Sequence, residues 1–285
     1  VTKPFNRAVI VGAGLLGASL GLALKQRGLA GRVAGVGRRE SSLNTALDSG
    51  AIDEAHFSLE PAMAGADLVV LCTPAAKVVD FLDEVRELVS PATIVTDVAS
   101  TKGGLCARAQ ATWPAPRRFI GSHPMAGSEK YGPEHGRPDF YVGSVCLVER
   151  GPGLDENARS RVVDLWEGVG ARVIGVDPDE HDLLLARTSH LPHVAASALA
   201  MVAIRQGNIH DVIGNGFRDT TRIAAGRPEL WAEICLTNRE ALLNSLAELT
   251  AEFAAFKAAL ESRDGAALER FFEDGRNARK EATGT

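Results

Sequence analysis

The chain has 285 residues, 45% of them hydrophobic, enough for a packed core in one large or two ordinary domains, which excludes disorder as the main state. Its 31 basic and 36 acidic residues leave a net charge of -5 with no basic arm, which excludes nucleic acid as the main partner, because phosphate binding needs concentrated positive charge. The longest apolar stretch, residues 194–204, is too short to cross a bilayer, no secretory pattern opens the chain, and Cys72, Cys106, Cys146 and Cys235 form no CxxC pair, so free thiols, no membrane partner and a cytoplasmic setting are expected.

Residues 7–11 read as an apolar strand, followed by a glycine turn and an Ala/Leu-rich helix to about residue 27. Strands at 33–36, 67–73 and 93–98 alternate with helices at 42–49 and 76–88. Strand–helix alternation with continuously apolar strands predicts an α/β fold, a Rossmann-type dinucleotide-binding domain whose parallel sheet is covered on both faces. The pattern continues with strands at 118–120 and 144–148, a helix at 158–169 and a last strand at 172–176. Beyond it almost only helical periodicity remains, which places the boundary near 178: residues 1–178 form the nucleotide-binding domain and 179–285 an all-helical substrate and dimerisation domain. Residues 179–206 read as a long helical region with a His-Leu-Pro-His interruption. Residues 228–260 read as another, kinked, with Trp231, Ile234, Leu242, Leu246, Leu249, Phe253 and Phe256 at helical intervals. So long an apolar stripe predicts a homodimer. Gly265 and Gly275 bracket a final short helix carrying Phe271 and Phe272, and since the helical half takes up the rest of the sequence, no appended domain is expected.

The run GAGLLG, Gly12, Ala13, Gly14, Leu15, Leu16 and Gly17, lies between the first strand and the first helix. There Gly12 allows a tight turn, Gly14 clears the way for a pyrophosphate, Gly17 lets helix and sheet approach, and the helix start offers free N–H groups. At the end of the second strand, where an NAD site carries a carboxylate for the ribose, this chain has Gly37, Arg38 and Arg39, with Ser41 and Ser42 behind. Two guanidinium groups suit a 2'-phosphate, so NADP is the expected cofactor. NAD is the alternative if the arginines are solvated and Glu40 serves the ribose. Cys72, Thr73 and Pro74 end one central strand and the segment DVASTK ends the next with Ser100, so both face the cofactor crevice. The loop GSHPMAGSEKYG, residues 121–132, reads as too polar and glycine-rich for packed core, and it holds His123 as a base over the nicotinamide.

Four segments together, GSHPMAGSEKYG, DVASTKG, HDLLLARTSHLPH from His181 and GFRDTTRIAAGRPELW from Gly216, resemble the prephenate/arogenate dehydrogenase family of tyrosine biosynthesis, over the chain from the first strand to about residue 260. The resemblance implies a dimer that oxidises the hydroxyl-bearing ring carbon of prephenate or arogenate and releases carbon dioxide as the ring becomes aromatic. It implies that His123 is the catalytic base and that Ser100 hydrogen-bonds hydroxyl and imidazole. It further implies that Ser128 and Glu129 lie beside the substrate, His193 positions it, Arg222 receives a carboxylate, Asp219 and Asp182 belong to the surrounding ionic network, and Trp231 lines the pocket.

Residue types alone leave other assignments open. His190 reads as structural, Arg218, Asp219 and Arg227 fit helix-terminal salt bridges, Trp231 fits a core, and His181 with Asp182 fits an interdomain cap. No metal is expected, because no HExxH occurs and the pair His190 and His193 lacks a companion at ligand spacing. A β-hydroxyacid dehydrogenase of similar plan would need a lysine base in residues 179–206, which contain none. A nucleotide sensor that has lost its chemistry is the non-enzymatic alternative.

Overall fold

The computed structural model describes residues 5–128, 130–207 and 209–284. Its first part alternates β1 (Phe5–Val11), α1 (Leu15–Gln26), β2 (Ala30–Val36), α2 (Glu40–Asp48), β3 (Glu54–His56), α3 (Leu59–Met63), β4 (Leu68–Leu71), α4 (Ala75–Leu88), β5 (Ile94–Asp97), α5 (Gly103–Thr112) and β6 (Phe119–Ile120). All six strands are parallel, in the order β3-β2-β1-β4-β5-β6, so the chain reverses its direction of travel across the sheet between β1 and β4. Ligands meet such sheets outside the strand ends at that switch point.

Side chains of successive strand residues point to opposite faces, and both faces are buried. Ala8 and Ile10 of β1, with Val33, Leu68, Val70 and Ile94, pack on Leu20 and Leu24 of α1. Val9 and Val11, with Val69, Leu71 and Val95, pack on Leu59, Val78, Leu82 and Leu105 of α3, α4 and α5. The short β3 and α3 and the helix α5 escape the periodicity reading, the first two for want of length. In α5 two glycines open the element and lower its helix propensity.

The strands after residue 121 do not extend this sheet, contrary to the continued alternation read from the sequence. Instead β7 (Ser122–Pro124), β8 (Val145–Glu149) and β9 (Arg172–Val176) form a separate three-stranded sheet, β7 antiparallel to β8 and β8 parallel to β9. The chain leaves β6 through Gly121, where an added Cβ would lie 2.7 Å from the Cys106 sulfur. Gly121 N donates to Glu149 Oε2 at 2.9 Å, and that carboxylate is paired with Arg117 in the interior. The helix α6 (Glu156–Gly168), capped by the Asp155 side chain, crosses from β8 to β9 and contributes Val162, Leu165 and Trp166 to the core.

After Val176 every element is helical. α7 (Pro178–Leu185) begins with Asp177 accepting from the N–H groups of Asp179 and Glu180, and with Pro178 in the first turn. The expected interruption takes the form of a π-helical turn, Ala186–His190, leading without a break into α8 (Leu191–Ala203). Pro192 has no N–H and its ring crowds the preceding turn, and the wider turn accommodates both. α9 (Asn215–Thr221) and α10 (Pro228–Thr237) follow.

The chain divides by packing into two compact units at Asn238, the second made of α11 (Arg239–Glu261) and α12 (Gly265–Thr283). The kink expected in residues 228–260 is thus a break between α10 and α11. Within the second unit the Phe256 ring lies 4.9 Å from that of Phe271 and 5.8 Å from that of Phe272. α12 runs through Gly275 rather than stopping there, because Arg, Ala, Lys and Glu on its far side favour helix enough to offset one glycine, about 1 kcal/mol. Among the described residues no helix is long and apolar enough to cross a membrane.

Candidate active site

The glycine turn is built for an occupant. Gly12 has φ +104°, and a Cβ on it would meet the Cys72 carbonyl oxygen at 2.5 Å, while one on Gly17 would meet the Gly12 carbonyl oxygen at 2.1 Å. These two glycines are required by the fold itself. Gly14 differs: nothing lies within 4 Å of an added Cβ, and the residue is exposed as the N-cap of α1, so its lack of a side chain serves open space in front of the helix start. No side chain caps α1, which leaves the N–H groups of Leu15, Leu16 and Gly17 aimed at that space. Beside it, the buried hydroxyl of Thr73 has no hydrogen-bond partner among the described residues, as expected of a donor waiting for a ligand. Cys72 and Pro74 flank it at the end of β4. Gly37 follows β2, and Arg38, Arg39 and Ser41 are all exposed there, where a ribose or its phosphate can reach them. These residues fit a bound dinucleotide.

His123 is placed differently from its expected loop. It is the middle residue of β7 and only 8% exposed, and residues 121–124 are all buried. A polar strand survives burial because its groups are satisfied. Ser122 N donates to Asp97 Oδ1 at 3.0 Å, and the Ser122 hydroxyl meets Thr96 Oγ1 at 2.8 Å and accepts from Trp166 Nε1 at 3.0 Å. Asp97, the last residue of β5, is itself paired with Lys102 in the interior, so β7 is fastened to the C-terminal edge of the main sheet. Burial pushes the Asp97 carboxyl up, against the pull of Lys102.

The imidazole of His123 is held from one side. Its Nδ1 lies 2.9 Å from His181 Nε2, and His181 Nδ1 lies 2.8 Å from Asp182 Oδ1. The Asp182 carboxylate accepts from the N–H groups of Lys102 and Gly103, each at 2.8 Å, at the start of α5. Burial alone would push Asp182 up, but the His181 hydrogen bond and these two donors hold it below the usual carboxylate range. Burial pushes the His123 imidazole well below the ordinary histidine value, and His181, Lys102 and His190 add to the effect. His123 Nε2 makes no hydrogen bond among the described residues. Behind this row Asn238 Nδ2 bridges the Asp182 carbonyl oxygen at 2.7 Å and His190 Nδ1 at 3.0 Å, and burial lowers His190 to about 4.

The other expected residues divide. Ser100 lies in the bend after β5, half-buried and without a hydrogen bond among the described residues. His193 is stacked on Trp231 with centroids 3.3 Å apart, and the His190 ring meets Trp231 edge-on at 6.2 Å, so the tryptophan is part of a histidine cluster and not of the apolar core. α10 is tied to the sheet edge by Glu233 Oε1, which accepts from Ala76 N at 2.7 Å, and by Thr237, whose hydroxyl meets that of Thr101 at 3.1 Å. Ser128 is exposed and accepts from Lys130 N at 3.1 Å, and Glu129 lies outside the described residues. Asp219 and Arg222 are exposed and have no charged partner among the described residues. Arg227 does reach Glu229, at 3.9 Å, and its guanidinium lies over the Tyr131 ring at 5.6 Å. Sequence reasoning placed Thr73 at the crevice but missed the roles of Lys102 and Asn238, and left His181 with Asp182 as an undecided pair. Only the adjacency of a histidine and an aspartate at a helix start hinted at the last.

Known proteins resemble this chain in sequence and fold. The family model described as "Prephenate dehydrogenase, nucleotide-binding domain" matches residues 20–175, and "Prephenate dehydrogenase, dimerization domain" matches residues 177–274. Prephenate dehydrogenase of Bacillus subtilis (strain 168) is 29% identical over 276 residues, 95% of this chain and 74% of that protein. Cyclohexadienyl dehydrogenase of Zymomonas mobilis is 30% identical over 280 residues, 96% of this chain and 95% of that protein. A crystal structure of prephenate dehydrogenase from A. aeolicus, in complex with hydroxyphenyl propionate and NAD+, is similar with a TM-score of 0.89 and 28% identity, over 99% of this chain and 100% of that one.

Proposed function

Since this chain belongs to the prephenate dehydrogenase family, we propose that it catalyses the oxidative decarboxylation of prephenate, arogenate or both, with NADP as the preferred hydride acceptor and NAD as the alternative. The observation that carries this reading is the buried His123, anchored through Nδ1 with Nε2 left free, at the C-terminal edge of a sheet whose glycine turn fits a dinucleotide. A nicotinamide bound at that edge supplies the hydride acceptor. His123, kept neutral by burial, takes the proton of the ring hydroxyl at Nε2 as the carbon beneath is oxidised. The electron pair of the breaking carbon–carboxylate bond then flows into the ring, and aromatisation drives the loss of carbon dioxide. Ser100 orients the hydroxyl against the imidazole. Arg222 holds a substrate carboxylate, with Ser128, Glu129, His193, Asp219 and Trp231 around it, and a guanidinium without a charged partner among the described residues suits a dianionic ligand. Gly12, Gly14, Leu15, Leu16 and Gly17 take the pyrophosphate, Cys72, Thr73, Pro74 and Ser100 line the crevice, and Gly37, Arg38, Arg39 and Ser41 take the 2'-phosphate.

In this reading residues 1–178 serve the cofactor, and residues 179–285 serve substrate and dimerisation. The small-molecule reaction belongs to a cytoplasmic homodimer, in keeping with four free cysteines and the uncovered apolar side chains of α8. The test is to supply prephenate and arogenate, each with NAD and with NADP, and to follow reduced cofactor in the near ultraviolet. Reduction is expected with at least one substrate and faster with NADP. Cofactor binding without reduction in any of the four mixtures overturns the enzymatic reading in favour of a sensor.

A further inference from the structure

The row of hydrogen bonds behind His123 has one consistent assignment of protons. The Asp182 carboxylate only accepts, and it already takes the N–H groups of Lys102 and Gly103, so His181 Nδ1, 2.8 Å from it, must carry a hydrogen. A neutral imidazole has a single N–H, which leaves His181 Nε2 as an acceptor. His123 Nδ1, 2.9 Å from that atom, must then be the donor, and the hydrogen it carries is absent from Nε2. We propose that His181 and Asp182 are positioning residues that fix His123 in the tautomer protonated at Nδ1, so that the bare Nε2 faces the substrate hydroxyl. The inference rests on the reading of His123 as the base, and it adds which nitrogen acts and what decides that.

The reverse case shows why the carboxylate matters. Were His181 protonated, both of its nitrogens would donate, His123 Nδ1 would have to accept, and the hydrogen would move to Nε2, where it blocks proton abstraction. The groups facing His181 act in both directions. Burial and Lys102, from the turn after β5, disfavour its cation, while Asp182 on α7 and Asp97 on β5 favour it, and the balance lies on the neutral side. His190, from the π turn, also lowers His123. Once His123 accepts the substrate proton, the His181 lone pair receives the hydrogen bond from the cationic Nδ1–H, so the same row stabilises the product state.

The experiment uses the whole protein without substrate, labelled with 15N-histidine, and reads the tautomers from long-range 1H–15N spectra at neutral pH, with His123→Asn and His181→Asn supplying the assignments. Hydrogen at Nδ1 of both His123 and His181 supports the proposal, and hydrogen at Nε2 of either overturns it. A second arm compares His181→Phe, which keeps a ring and removes the acceptor. Expected are mixed tautomers of His123 and a fall in kcat of about 100-fold, with KM changed by less than about twofold because ground-state binding is untouched. An unchanged tautomer with unchanged kcat overturns the proposal, and the wild-type spectrum decides the matter if the variant does not fold. Failure of the underlying reading looks different: full turnover in His123→Asn, with His123 of the wild-type protein protonated at Nδ1, removes the base and leaves the lock standing.

Discussion

His123, His181, Asp182, His190 and Asn238 are buried and joined in one row of hydrogen bonds within the chain, which leaves His123 Nε2 unbonded among the described residues. Across α8 to α10 the pattern is the opposite. Arg222 and Asp219 stand exposed without charged partners among the described residues, and Leu199, Met201, Val202 and Leu236 expose their apolar side chains. The first region can hold its geometry before any ligand arrives, and preorganisation of that kind is what a proton-transfer site needs. The second is assembled with surfaces still uncovered, as expected where substrate and a second copy complete it.

The largest effect should come from breaking the finished region at its working atom. His123→Asn is expected to lower kcat by on the order of 100-fold or more, with cofactor affinity unchanged by titration calorimetry, and near-normal turnover would remove the base assignment. In the unfinished region, Arg222→Ala should raise KM by roughly 10- to 100-fold, the range for a lost hydrogen bond to a charged group. Its melting temperature should stay at the wild-type value, and a lowered one would make the arginine a structural residue. Arg38→Asp is expected to shift the NADP to NAD ratio of kcat/KM by on the order of 10-fold or more toward NAD. An unchanged ratio in steady-state kinetics would mean that both exposed arginines are merely solvated.

The glycine turn repeats the contrast on a smaller scale. Gly17→Ala forces a Cβ against the Gly12 carbonyl and should lower the melting temperature by roughly 5 °C or more. Gly14→Ala meets nothing, so calorimetry should find the stability unchanged while the cofactor binds more weakly. The smallest effect is the pH dependence of stability. His190 titrates near 4 in the folded chain against 6.5 for an ordinary histidine, so between these values the unfolded chain binds the proton that the folded one refuses. Stability is therefore expected to fall as pH drops from 6.5 toward 4, and His190→Gln should flatten that part of a melting-temperature profile. A profile unchanged by the substitution would mean that His190 contributes nothing to it.

Much of this molecule can be read without coordinates. Apolar runs at strand length, separated by helical stretches, mark the parallel sheet, and GAGLLG between the first strand and helix marks the candidate phosphate site, because both signals are local and depend on neighbours a few residues away. The arginines after β2 and the strand-end positions of Thr73 and Ser100 follow from the same alternation. The separate sheet of β7, β8 and β9 does not, because the short strands of either sheet look alike along the chain. Nor does the length of α12, where one glycine resembles a stop.

What the sequence determined by itself is the layered architecture and the identity of the residues that meet at the strand ends. Periodicity records how each element buries one face, and that is a property of the element alone. Only the tertiary structure decided that His123 is a buried strand residue, that it faces His181, 58 positions away, and that Asn238 reaches back to His190 and Asp182. Such pairings depend on register and orientation between elements far apart in the chain, and an isolated histidine carries no local trace of the partner that will set its protons.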